Sequence, residues 1–204
     1  MTESLSQAIE TLQRSRSMLE PVLASFEKRV AQFGADPRSA FWKDEEWQKR
    51  RYDILSRLFD EPDRLGGISI TDFGCGYGAF FDYLADRPVM KNSRYTGIDM
   101  SAAMIEQAEA RIDDARATFQ HHLIATERAD YTFVSGTYNM LMDADRDEWN
   151  DYVKASLAHR LLEYTQDYTP RAKGPVGRYS ILLWPSRYRP GNRLPGPFGS
   201  RHTL

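Results

Sequence analysis

The segment Asp72-Phe73-Gly74-Cys75-Gly76-Tyr77-Gly78 sets three glycines at alternate positions, the first of them two residues after an acid. Glycine has no Cβ, so such a loop can turn tightly and let backbone N–H groups approach a ligand. A second acid, Asp99, follows 27 residues after Asp72. At the end of the next strand, a carboxylate can accept hydrogen bonds from both hydroxyls of a ribose. A glycine turn with a downstream acid is the pattern of proteins that hold a nucleoside-bearing ligand.

The first acid bears on which ligand that is. Gly74, Gly76 and Ala79 also satisfy the dinucleotide fingerprint, which tolerates alanine at its third place. Asp72 stands two residues ahead of Gly74, where an anion is unfavourable beside a pyrophosphate and favourable beside an ammonium and a sulfonium. S-adenosyl-L-methionine (SAM) carries both cations. A dehydrogenase would also need a substrate domain, and the sequence after residue 158 is too short for one. The reading is SAM, with NAD as the alternative.

On these residues the sequence resembles the class I SAM-dependent methyltransferases. The motifs are TDFGCGYG, YTGIDMS and DYTFVSGTYN, joined upstream by Trp42, Gln48, Arg51 and Tyr52 in the spacing W-x5-Q-x2-R-[FY]. The resemblance covers about residues 40–158, and it is specific to fold and cofactor, not to substrate. It implies that Asp72 faces the methionine ammonium and that Gly74 and Gly76 pass beneath the amino-acid portion. It further implies that Asp99 holds the ribose, that Met100 packs on the adenine and that Ser135 lies near the methionine moiety. Arg51 would pair with the ligand carboxylate, and the helix bearing Trp42 and Arg51 would close over the methionine end. Where that family often places an Asp after its third strand, this chain has His122.

The elements that must position these residues follow from periodicity. Ile68–Phe73, Arg94–Ile98, Thr118–His122 and Tyr131–Ser135 read as strands. Ala79–Ala85 reads as a helix, as does a segment capped by Ser101 and running through Ala115 with Met104, Ile105, Ala108 and Ile112 inward. A further helix is predicted around Trp149, Tyr152, Val153 and Leu157. Strand and helix in alternation predict a Rossmann-like, doubly wound α/β fold with a mostly parallel sheet, whose ligands sit at the carboxyl ends of the strands. Before it come a helical segment from Glu3 to Phe33, broken or kinked at Pro21 and stopped at Gly34, and a second from Ser39 to Phe59. The expected organisation is a helical cap over 1–60, a SAM-binding core over 61–158, and a tail over 159–204.

The tail departs from the rest. Residues 159–204 carry a net charge of +6 and six of the ten prolines, against a net charge of -2 for the whole chain. Tyr179–Trp184 is the one further strand expected there, and the family resemblance stops near Ala158. A truncated or frame-shifted end is one reading, and a basic arm is the other.

Composition narrows the function. With 204 residues, 41% apolar and 27% charged, the chain has ordinary globular values. Its single cysteine, Cys75, excludes a disulfide framework, and no apolar run is long enough to span a membrane. The opening MTESLSQAIE lacks the pattern of a signal peptide, so the expected compartment is the cytoplasm. No membrane or nucleic-acid partner is expected, and no metal, because the His121-His122 pair has no companion at ligand spacing. Cys75 reads as a small buried residue. Tyr138, Asn139 and Asp143 are candidates beside a methyl acceptor, but no catalytic base is assigned. The expected function is methyl transfer from SAM to a small-molecule or glycan-like acceptor. The alternatives are a SAM-binding domain without catalysis and an NAD-binding protein.

Overall fold

The computed structural model describes residues 5–124, 129–166 and 178–182. Five strands, β1 (Ser69–Phe73), β2 (Arg94–Asp99), β3 (Ala117–His121), β4 (Tyr131–Ser135) and β5 (Arg178–Leu182), form one sheet in the order β3-β2-β1-β4-β5. Every neighbouring pair is parallel. The order reverses beside β1, which opens a crevice between the ends of β1 and β4, the place where open α/β sheets bind ligands.

Side-chain alternation along the strands sorts the core onto two faces. Ile70, Tyr95 and Tyr131 share a register row and pack against Phe80, Phe81 and Leu84 of α4 (Ala79–Ala85) and Leu55 of α3 (Glu45–Leu55). Phe73, Ile98 and Val134 form a row on the opposite face. Covering that row are α1 (Leu5–Arg14), α2 (Arg16–Phe33) and α6 (Arg146–Gln166), through Ala8, Leu12, Leu19, Val22, Trp149, Tyr152 and Ala155. Helix α5 (Ala102–Arg111) buries Met104, Ile105 and Ala108.

Several predicted boundaries move. The N-terminal helix breaks at Ser15, not at Pro21, which lies inside α2. Both the amide and the hydroxyl of Ser15 donate to Thr11 O, at 3.0 and 2.9 Å, and such back-bonding bends a helix. Gly34 stops α2 at φ 62 with its amide on Val30 O. The second helical segment divides into a 3-10 turn at Pro37–Ala40 and α3, which starts at Glu45 because Asp44 accepts from Trp47 N–H. Ser101 does cap α5, accepting from Met104 N–H, but the helix ends at Arg111, short of Ala115, where Ile112 adopts extended angles. The predicted strand at Tyr179–Trp184 appears as β5, parallel to β4. Residues 183–204, with Trp184 and most of the basic tail, lie outside the described residues. No helix among the described residues is long and apolar enough to cross a membrane.

Candidate functional site

A cleft opens at the carboxyl ends of the strands. Its wall includes Asp72, Gly74 and Gly76 from the glycine loop, Asp99 and Met100 from the end of β2, Ser135 from the end of β4, and Trp42 from the turn before α3. Seven of the eight candidate ligand-binding residues thus share one cavity. The eighth, Arg51, is buried behind it. Its guanidinium lies over the Trp42 ring at 5.4 Å, and its Nη1 donates to Ser135 Oγ at 3.2 Å. Burial pushes the Arg51 guanidinium pKa down from its usual value.

The glycine loop and the second acid meet directly. Gly76 N–H donates to Asp99 Oδ2 at 2.9 Å, and Ser101 N–H donates to Oδ1 at 2.9 Å. Burial raises the Asp99 carboxyl pKa above the usual range, while these two amides and His121 oppose the rise. The loop itself hangs on β2, because Gly74 and Cys75 both donate to Ile98 O.

The three loop glycines serve different ends, all at positive φ. A Cβ on Gly74 would sit 2.2 Å from Thr137 Oγ1, whose hydroxyl donates to Phe73 O. A Cβ on Gly78 would strike Ile112 at 2.5 Å and Phe119 at 3.1 Å, so this glycine lets α4 approach β3. A Cβ on Gly76 would meet nothing nearer than Met104 Sδ at 3.8 Å. Gly76 is the one that faces open space in the cleft.

Asp72 is buried in the row between Gly97 and Phe133. It accepts from Tyr95 Oη at 2.7 Å. Burial, together with the Asp72 charge, raises the Tyr95 phenol well above its normal pKa, and Tyr52 is raised in the same way. Tyr95 therefore stays a donor and fixes one Asp72 oxygen. Its part was not visible in sequence, since a β-strand tyrosine reads as core. Gln48 also lines the cleft and accepts from Tyr77 Oη at 2.8 Å.

Other expectations resolve differently. Burial raises the Cys75 thiol well above its normal value, as expected of a packed residue without nucleophilic character. Tyr138 does not face the cleft. It is buried with its hydroxyl 2.7 Å from Ser156 Oγ and its ring against Tyr152. Asn139 and Asp143 are not brought to the cleft either. His122 is there, held by its amide on Asp99 O at 3.0 Å. No group of three or more His, Cys, Asp or Glu side chains among the described residues could hold a metal ion. The wall also contains Val22 and Phe26 of α2 and Tyr152 of α6, residues whose helical spacing showed only that they were buried.

Residues 70–160 match the model of a methyltransferase domain family. Over 91 residues the chain is 39% identical to a Mycobacterium tuberculosis protein named "Putative methyltransferase Rv1506c". That alignment takes in 44% of this chain and 54% of the relative, so the chain spans about half the length of the curated relative it matches. A SAM dependent methyltransferase from Aquifex aeolicus superimposes with a TM-score of 0.47 at 14% identity, covering 81% of this chain and 77% of that one. A SAM-dependent methyltransferase from Geobacter sulfurreducens, solved with S-adenosyl-L-homocysteine, gives 0.43 at 18% identity over 76% and 53% of the two chains.

Proposed function

We propose that the chain binds SAM in this cleft and transfers its methyl group to a small-molecule or glycan-like acceptor, a reading supported by the match of residues 70–160 to the model of a methyltransferase domain family. The observation that carries the reading is the Gly76 N–H to Asp99 contact of 2.9 Å, which joins glycine turn and acid at the ends of adjacent parallel strands. The residues suit the cofactor. Gly76 leaves room above the loop, and two carboxylates at the strand ends match a ligand with two cationic centres and a vicinal diol.

In this reading Asp99 accepts from the ribose hydroxyls and Met100 packs on the adenine. Gly74 and Gly76 carry the amino-acid portion, Asp72 faces the ammonium, and Arg51, oriented by Trp42 and Ser135, pairs with the carboxylate. The sulfonium supplies a methyl group that is already electrophilic. The chain's work is to bind, to exclude water and to hold an acceptor in line, and such alignment can by itself supply a large rate factor. Residues 61–158 form the binding core, with 1–60 as its cap.

Binding without turnover is the second reading. It is favoured by one observation: the carboxylates lining the cleft among the described residues are Asp72 and Asp99, both assigned to the cofactor. Calorimetry with SAM and with NAD tests the cofactor, and preferential NAD binding would overturn it. Release of S-adenosylhomocysteine in the presence of candidate acceptors separates transfer from binding alone.

A further inference from the structure

The turn that leads into the cleft contains a residue that its backbone does not want. Pro37–Ala40 closes with Phe41 N–H on Arg38 O and Trp42 N–H on Pro37 O, at 3.2 and 3.0 Å. These are the paired bonds that end a helix through a left-handed residue, normally glycine. Here the left-handed position is Phe41, at φ 59. A bulky side chain at positive φ is strained, and strain of this kind collects at ligand sites. Burial does not compensate for it, because the Phe41 side chain is 42% exposed.

The ring adjoins the wall of the cleft without being part of it. Its chain neighbours Ala40 and Trp42 line the cavity, and it meets Phe26, another wall residue, edge-on at 5.2 Å and 89°. The Arg29 guanidinium lies over the Phe41 ring at 4.3 Å. Arg38, over Phe33, is held by the Asp36 carboxylate through two nitrogens at 2.7 and 3.0 Å. Arg29 differs. Its Nε donates to Arg38 O, and no carboxylate among the described residues pairs with it. A guanidinium with terminal N–H groups to spare is a bidentate receptor for phosphate or carboxylate.

We propose that Phe41 and Arg29 form the outer subsite of the acceptor, and that the acceptor is an anion with a flat apolar face, bearing a phosphate or a carboxylate. The apolar face rests on Phe41 and the wall made by Phe26 and Val22, and the anionic group is held by Arg29 beside Phe41. This assignment rests on the methyltransferase reading of the cleft.

The test uses the full chain, titrated calorimetrically with phenyl phosphate, benzoate and phenol, each with and without saturating S-adenosylhomocysteine. At least one of the two anions should bind ten times tighter or more than phenol, and which one does so names the anionic group. Arg29→Gln should bring that anion to the level of phenol and leave the SAM dissociation constant unchanged within twofold. Arg29→Lys should keep part of the preference. Phe41→Gly should weaken all three aromatic probes while leaving thermal stability equal or raised, an outcome that a purely structural phenylalanine would not give. If neither anion outbinds phenol on the unaltered protein, or if Arg29→Gln leaves the preference intact, the inference fails. Failure of SAM to bind the unaltered protein would instead overturn the reading beneath it.

Discussion

At the scale of single residues, Asp99 and Gly76 carry most of the functional argument. Replacing Asp99 by alanine removes a charged acceptor, and SAM binding should weaken by about 1.5–3 kcal/mol in a titration of the folded variant. An unchanged affinity would refute the ribose assignment. The same carboxyl gives a pH dependence with two opposite signs. Its pKa is raised by burial. The proton is therefore held more tightly in the folded chain, and this contribution to stability is present at low pH and is lost as pH rises through the raised value. In the proposed reading the ribose hydroxyls donate to the ionised form, so SAM affinity should rise over the same interval. Comparison with Asp99→Asn, in which both trends should vanish, separates them from the low-pKa pairs Asp36–Arg38 and Asp114–Arg116, whose carboxyls sit at about 2. The glycines make a second contrast. Gly76→Val has space, so it should cost about 1–3 kcal/mol of stability from backbone strain and abolish SAM binding. Gly74→Ala collides with Thr137 and should show its effect first in unfolding. If Gly76→Val binds SAM normally, the loop does not cradle the ligand.

At the scale of elements, local signals and long-range ones part company. The strands β1 and β4 and helix α4 fall within one residue of their expected limits, because each is an apolar run closed by glycine or an alternating pattern closed by a turn. The glycine loop and Asp99 were legible for the same reason, being short motifs whose neighbours determine their geometry. What periodicity could not show is which surface a helix covers. The apolar stripe of α2 announced burial, but not that Val22 and Phe26 line the cleft. Nor could it show the Tyr95–Asp72 bond, which joins residues 23 positions apart on paired strands. Phe41 was invisible because its interest lies in a backbone angle that its residue type argues against. The cap at Ser101 gives a prediction at this scale. Ser101→Ala leaves Met104 N–H without its side-chain acceptor and should cost about 1 kcal/mol in urea unfolding. Because Met104 is the nearest neighbour above Gly76, a modest loss of SAM affinity should accompany it.

At the scale of the whole molecule, the site is drawn from widely separated parts of the chain, and its edges can be tested by shortening. Every residue assigned to SAM lies between Trp42 and Ser135. A chain ended at Tyr168 should therefore keep SAM affinity within a few fold. It should also melt earlier, because removing β5 uncovers the hydrogen-bonding edge of β4. A hundredfold loss of affinity in a folded product would mean that the tail reaches the site. The packing of α1 on α6 has a further consequence, for the growing chain on the ribosome. Ala8 and Leu12 find their cover in Trp149, Tyr152 and Ala155, and Ala8 precedes Trp149 by 141 positions. At translation speeds of about 5–20 residues per second, that face waits about 7–28 s for its partner. For that interval the first helix is a sticky emerging segment that a holdase can occupy. Release of the completed α6 is then the event that frees it.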